Sequence, residues 1–265
     1  MNPEQIVGII PAAGVASRIS PIPCSKEIFP VTWRVLDDGN TKVPKVIGHH
    51  LLDYMRFGGA KQVFIVIKEG KWDIPAYFKD GTGFDTHIAY LIADLPYGVP
   101  FTVNQGLPFL CNNLVLFGFP DILLTPANAF QVLVNKFKKS DADIVLGLFP
   151  VKNPGKWDIV KTDENGRVDN IDIKPVNTDE NYAWAIACWG DRFTYFIDRF
   201  CTETASEIKN KGTQHKDYHL GHCLKQAIKE DFRIETVKFP DGSCVDIGTP
   251  DDLQSIMETG ASLFE

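Results

Sequence analysis

The chain has 265 residues, 44% of them hydrophobic and 23% charged, which is enough apolar material for a sizeable core and too little charge for disorder. Its 27 basic residues against 34 acidic ones leave a net charge of -7, which argues against a general affinity for nucleic acid or an anionic membrane surface. An anionic substrate must therefore meet positive charge placed locally.

Apolar runs alternate with amphipathic stretches along the chain, an order that predicts α/β layering around a largely parallel sheet. In chain order, strands are predicted at Ile6 to Pro11, Gln62 to Ile67, Leu114 to Phe119 and Asp143 to Pro150. Helical spacing of apolar residues marks Ile47 to Phe57 and Ala127 to Lys139, while Thr86 to Ala93 fits strand and helix equally. Beyond Pro150, the short runs Trp157 to Lys161, Val168 to Ile173 and Tyr182 to Trp189 are divided by turn-rich clusters and read as antiparallel or mixed strands. Helices follow at Arg192 to Glu207 and Lys216 to Lys229, and a last one begins after Thr249 with Pro250 in its first turn.

With no low-complexity linker and no internal repeat, a single domain over 1–265 is expected. It divides into a nucleotide-binding lobe of about 1–125 and an acceptor-binding lobe of about 126–265. No apolar run reaches the ~18 to 20 residues of a membrane span. Met1 to Ile10 carries Glu4 and no basic residue ahead of its apolar run, unlike a secretory signal. Six scattered cysteines without a C-x-x-C pair favour neither zinc nor a disulfide framework, so a reducing, cytoplasmic setting is expected. Nothing in the sequence sets the oligomeric state.

The most informative segment follows the first strand. Ala12, Ala13, Gly14, Val15, Ala16 and Ser17 form a small-residue loop at the carboxyl edge of the sheet, where ligands bind in open α/β folds. Small side chains let backbone N–H groups approach phosphate oxygens, and Arg18 and Lys26 add charge. The segment is neither G-x-G-x-x-G nor a Walker A sequence, and alone it equally suits a tight turn with a solvated arginine.

Its continuation, Pro21-Ile22-Pro23-Cys24-Ser25-Lys26-Glu27-Ile28-Phe29-Pro30-Val31, changes the reading. Together the two motifs resemble the signature of the sugar-1-phosphate nucleotidyltransferases, A-A-G-x-G-[ST]-R-x-x-P followed by P-K-[EP]-[ML]-L-P-[VIL]. The resemblance implies a Rossmann-like three-layer α/β/α fold of the nucleotide-diphospho-sugar transferase type, with a mixed, mainly parallel central sheet. It also implies a nucleotide held by Ala12 to Ser17, with Arg18 on the triphosphate and Lys26 on the phosphates.

Further segments extend the likeness. Phe119-Pro120-Asp121-Ile122 is similar to the family's L-P-D-[DV], and Val245-Asp246-Ile247-Gly248-Thr249-Pro250 to its L-D-x-G-T-P. These imply that Asp121 and Asp246 hold one Mg²⁺ on the nucleotide phosphates, a hard cation that prefers oxygen ligands. Asp172-Ile173-Lys174-Pro175 matches E-K-P and gives Lys174 the acceptor phosphate, with Ile173 where the family's glutamate meets sugar hydroxyls. Gln105 falls on the base-reading glutamine of a Q-G-x-x-x-G-L-G-H-A segment in which Phe109 and Cys111 replace glycines. Asp158 stands for a glycine of Y-G-V-V.

The implied activity joins a nucleoside triphosphate, UTP or dTTP, to a sugar-1-phosphate with release of pyrophosphate. The three departures leave open a cyclitol phosphate, phosphonate or phosphocholine acceptor, or an inactive nucleotide-binding homologue. His219 and His222 at i and i+3 lack a third ligand, and Cys188 and Cys223 lie in apolar segments suited to packing.

Overall fold

The computed structural model describes residues 5–36, 38–93, 97–211 and 217–259. The first half of the chain runs β1 (Gln5–Pro11), β2 (Pro30–Val35), β3 (Lys42–Val46), α1 (Ile47–Phe57), β4 (Gln62–Ile67), α2 (Asp73–Phe78), β5 (His87–Ile92), α3 (Val99–Asn104), α4 (Leu107–Leu110), β6 (Asn113–Gly118) and β7 (Ile122–Thr125). It continues with α5 (Ala129–Lys138), β8 (Ile144–Pro150), β9 (Asp158–Thr162), β10 (Val168–Ile173), β11 (Tyr182–Trp189), α6 (Asp191–Lys211), α7 (Leu220–Lys229), β12 (Ile234–Lys238), β13 (Ser243–Asp246) and α8 (Pro250–Thr259). Thr86 to Ala93 resolves as a strand, and the helix expected from Lys216 begins at Leu220, its expected first residue lying outside the described ones.

Nine strands form one mixed sheet along the path β10-β9-β11-β6-β1-β4-β5, with β8 also on β11 and β12 beyond β8. The β6-β1-β4-β5 portion is parallel, whereas β11 runs antiparallel to β6, β8 and β9. Continuous apolar runs mark β1, β4 and β6 because both faces of the sheet are covered. Val7, Ile9, Val115 and Phe117 pack on one face with Phe101, Phe193 and Leu224, while Ile10, Ile65, Leu114 and Leu116 pack on the other with Leu51, Met55 and Phe130. Helices therefore lie on both faces, and the fold is the expected three-layer arrangement.

Two small ladders stand apart from the main sheet: the β2–β3 hairpin and the pair β7–β13. The second matters for function. It ties a segment near the middle of the chain to one near its end, with Asp246 paired to Ile122.

Candidate active site

Parallel β1, β4 and β6 end at one rim of the sheet, so the segments that leave them share an opening. The loop after β1, Lys68 to Gly70 after β4 and Phe119 to Asp121 after β6 line a cavity of about 830 Å³. Gly98, Val99 and Thr102 at the start of α3, with Asp217, close the opposite wall. Gly98 is required there: its φ is +99°, and a Cβ would sit 2.2 Å from the Tyr218 carbonyl oxygen. The bridge between Gly98 and Tyr218 brings Asp217 to this wall.

The 12–17 loop is held from behind. Ala12 N–H donates to the Val66 carbonyl at 2.7 Å, continuing the β1–β4 ladder past the end of the strands. The Lys71 ammonium donates to the carbonyl oxygens of Ala12 (2.7 Å) and Gly14 (3.0 Å), and to both carboxylate oxygens of Glu27 (2.7 and 2.8 Å). Glu27 is 2% exposed and Lys71 8%. Burial pushes the Glu27 carboxyl up and the Lys71 ammonium down, while their mutual attraction opposes both shifts. Just upstream, Ser25 donates through its backbone N–H (2.6 Å) and hydroxyl (2.7 Å) to Asp73. The outer side of the loop stays open: Gly14, Val15 and Ser17 are exposed, and nothing lies within 4 Å of where a Gly14 Cβ would be.

At the far end of the cavity the β7–β13 ladder brings two carboxylates together. Asp121 immediately precedes β7 and Asp246 ends β13, and Ile247 N–H donates to the Asp121 carbonyl at 3.1 Å. Lys26, on a short 3₁₀ turn, donates to Asp121 Oδ2 at 2.5 Å. Burial works to lower the Lys26 ammonium, but the Asp121 carboxylate beside it holds it above the ordinary lysine value. Asp246 is pushed up to about 6 by burial and by the neighbouring Asp121 charge, against the pull of Lys26, the Gly248 N–H (2.7 Å) and Arg18. A Cβ on Gly248 would come within 2.7 Å of the Arg18 guanidinium and 2.8 Å of Asp246, so the glycine leaves room for both.

Arg18, Asp121, Asp246 and Lys174 line a second, smaller cavity of about 140 Å³ with Trp157 and Trp184. It adjoins the first through Phe119 and Asp121, which line both. Lys174 occupies the turn after β10 with φ +45° and donates its backbone N–H to the Trp157 carbonyl at 3.1 Å.

A sequence profile of the family described as nucleotidyl transferase matches residues 7–262. The chain belongs to the nucleotidyl transferase family. It is 24% identical over 205 residues to a glucose-1-phosphate thymidylyltransferase of Neisseria meningitidis, a match covering 76% of this chain and 65% of the relative. A low-salt glycan biosynthesis nucleotidyltransferase of Haloferax volcanii is 21% identical over 179 residues, covering 66% of this chain and 46% of that one. The chain thus spans slightly under two thirds of the first relative's length and less than half of the second's.

Among solved structures, the fold superposes with a TM-score of 0.81 on a Bacillus anthracis protein assigned as a glucose-1-phosphate thymidylyltransferase, in complex with sucrose. That pair shares 17% identity over 98% of this chain and 97% of the other. A UDP-glucose pyrophosphorylase complexed with UDP-glucose gives a TM-score of 0.75 at 14% identity, over 96% and 98% of the two chains.

The structure thus gathers Ala13 to Val15, Lys26 and Asp121 around the larger cavity, and Arg18, Lys174, Asp121 and Asp246 around the smaller one. It does not bring Gln105 there. That residue ends α3 one turn beyond the wall residue Thr102, its amide reaching back to the Phe101 carbonyl at 3.5 Å. Nor does Phe109 intrude on the nucleotide loop: it stacks on Phe64, ring centroids 5.1 Å apart, and lines neither cavity.

His219 and His222 form the N-terminal capping box of α7, and among the described residues no group of three metal-binding side chains occurs. Cys188 and Cys223 are fully buried, and burial pushes both thiols well up. Lys71, Asp73 and the buried role of Glu27 are not legible in the sequence: the Lys-Glu-Gly-Lys run that ends at Lys71 reads as a solvated turn, and no local pattern marks the other two as partnered.

Proposed function

We propose that the protein transfers a nucleoside monophosphate from UTP or dTTP to a sugar-1-phosphate, with Mg²⁺, releasing pyrophosphate. The observation that carries this reading is the convergence of Arg18, Lys26 and Lys174 with the Asp121–Asp246 pair about two adjoining cavities. The relatives' names supply the substrate classes.

In this reading the triphosphate lies over the 12–17 loop, whose small residues let backbone N–H groups approach its oxygens. The acceptor lies in the smaller cavity with its phosphate toward Lys174. A phosphate monoester is already ionised near neutral pH, so its oxygen attacks the α-phosphorus without a dedicated base. The new O–P bond forms as the bond from the α-phosphorus to the bridging oxygen breaks, and pyrophosphate leaves with that electron pair. The protein's task is alignment and charge cancellation, because two polyanions otherwise repel. Lys26 and Arg18 neutralise the triphosphate and Lys174 the acceptor.

Asp121 and Asp246 suit a divalent cation: they are hard oxygen donors, and burial together with the Asp121 charge raises Asp246, a cost that a bound cation would relieve. Two carboxylates leave most of the ion's coordination to phosphate and water, and the bound ion would neutralise charge on the phosphates.

The two lobes, about 1–125 and 126–265, act in this reading as one nucleotidyltransferase domain, contributing the loop and Lys174 respectively. All six cysteines are free thiols, in keeping with a cytoplasmic setting, and among the described residues no helix is long and apolar enough to cross a membrane. The test is a pyrophosphate-release screen crossing the common nucleoside triphosphates with phosphorylated acceptors, with and without Mg²⁺. Metal-dependent release with UTP or dTTP and a sugar-1-phosphate is expected. Saturable triphosphate binding without release on any acceptor would refute the reading.

A further inference from the structure

One wall of the smaller cavity carries a polar recess that the phosphate-handling groups leave unused. Asp158 opens β9 and stands directly across the antiparallel ladder from Ile173 of β10. Its Oδ2 rests against the first turn of α7, so closely that a Cβ on Gly221 would lie 2.3 Å from it and 3.4 Å from Ile173 Cγ1. A helix N-terminus favours a negative charge at such a place. Behind it, Trp184 of β11 is 3% exposed, with its indole Nε1 enclosed. Burial pushes the Asp158 carboxyl up to about 6, against the attraction of Lys174 and of the nearby Trp184 indole N–H. No ion pair to Asp158 forms among the described residues.

A half-buried carboxylate that faces a cavity and has no ion-pair partner among the described residues is costly to hold unless a ligand uses it. Asp158 and Trp184 line a cavity comparable in size to one pyranose ring, with Phe119 and Trp157 as apolar walls. We propose that Asp158, backed by Trp184, is the residue that recognises the acceptor, accepting a hydrogen bond from a ring hydroxyl of the sugar whose phosphate Lys174 receives. The inference rests on the reaction proposed above.

A hydroxyl can donate to the carboxylate and still offer its lone pairs to Arg18, Lys156 or Lys174, which line the same cavity beside Asp121 and Asp246. Ile173 reads in the sequence as the loss of a sugar-binding carboxylate. The β9–β10 register returns a carboxylate to the same place from the facing strand.

The test compares wild type, Asp158→Ala and the cross-strand exchange Asp158→Gly/Ile173→Glu, each checked for folding by thermal unfolding and for triphosphate binding by calorimetry. The readouts are KM for the preferred sugar-1-phosphate and for its monodeoxy analogues. Asp158→Ala is expected to raise the acceptor KM about 10- to 100-fold, the range for losing a hydrogen bond to a charged group, with triphosphate affinity spared. One deoxy analogue should show the same loss on wild type and no further loss on Asp158→Ala, the signature of a direct partner. The exchange variant should recover most of the affinity.

An unchanged acceptor KM in Asp158→Ala, independent losses for every deoxy analogue, or a wild-type preference for choline phosphate would overturn the assignment while leaving nucleotidyl transfer standing. Failure of wild type to release pyrophosphate with any phosphorylated acceptor would overturn the reaction itself, and this inference with it.

Discussion

Lys71 offers the sharpest test of how the site is built, because its ammonium joins Glu27 to two carbonyls of the loop that the triphosphate is proposed to occupy. Lys71→Ala leaves Glu27, 2% exposed, as a buried carboxylate without its partner, and removes the donor to Ala12 and Gly14. Breaking one side of a buried pair costs roughly 3–5 kcal/mol. Protonation of Glu27, whose carboxyl burial already pushes up, brings the expected loss toward about 3 kcal/mol near neutral pH. Urea unfolding measures this from the midpoint at unchanged slope. The double variant Lys71→Met/Glu27→Gln removes both charges and should regain most of the stability. It does not restore the donor to the loop carbonyls, so its triphosphate KM should stay raised by about tenfold or more, the worth of one to two hydrogen bonds. Stability and nucleotide affinity thus separate. A Lys71→Ala loss below about 1 kcal/mol, or a double variant with wild-type triphosphate affinity, would refute the loop-anchor argument.

Lys26→Ala should lower kcat about 100-fold or more through lost stabilisation of charge in the transition state, read by single-turnover pyrophosphate release. Asp121→Ala should do the same and also weaken divalent-metal binding in a Mn²⁺ titration. Asp246, held up to about 6, must lose its proton to bind a cation, so metal affinity should fall as pH drops through 6 and level off above about 7. The same raised value means that this carboxyl favours folding below its unfolded value near 4, and that the contribution is lost as pH rises through 6. Asp246→Asn should therefore raise stability by up to about 2 kcal/mol at pH 8, with the gap closing toward pH 4. Lys174→Ala should weaken acceptor binding and largely spare triphosphate binding, and equal loss of both in calorimetry would count against its role.

The sequence is legible where local pattern and physics agree. β1, β4 and β6 stand out because strands buried on both faces are continuously apolar, and α1 because its apolar spacing follows the helical period. β7 and β13 do not stand out, since four residues each carry no period, although their pairing is what joins Asp121 to Asp246. Gln105 is the opposite case. A short motif implies a base-reading position, but the chain there caps α3, and the residue that lines the larger cavity is Thr102, three positions earlier. Lys71 and Glu27 were hidden because charged residues are exposed by default. Only a partner 44 positions away reverses that expectation, and no local pattern announces it.

The turn that carries Lys26 and Glu27 ties these observations together. The two residues are consecutive, yet Lys26 reaches Asp121 and Glu27 reaches Lys71. One side chain thus fixes the turn to the carboxylate pair at the end of β6 and β13, and the other fixes it to the back of the loop after β1. Displacement of this turn must move the phosphate-facing loop and the metal-facing aspartate together. A Lys-Glu dipeptide is therefore suited to this position in a way that Lys-Ala is not: Glu27→Ala keeps every group proposed to touch substrate, yet frees Lys71 from its carboxylate and unties Lys26 from the loop it serves. The resulting loss should fall on triphosphate affinity and on kcat at once, whereas loss of Lys174 should fall on the acceptor and largely spare triphosphate affinity.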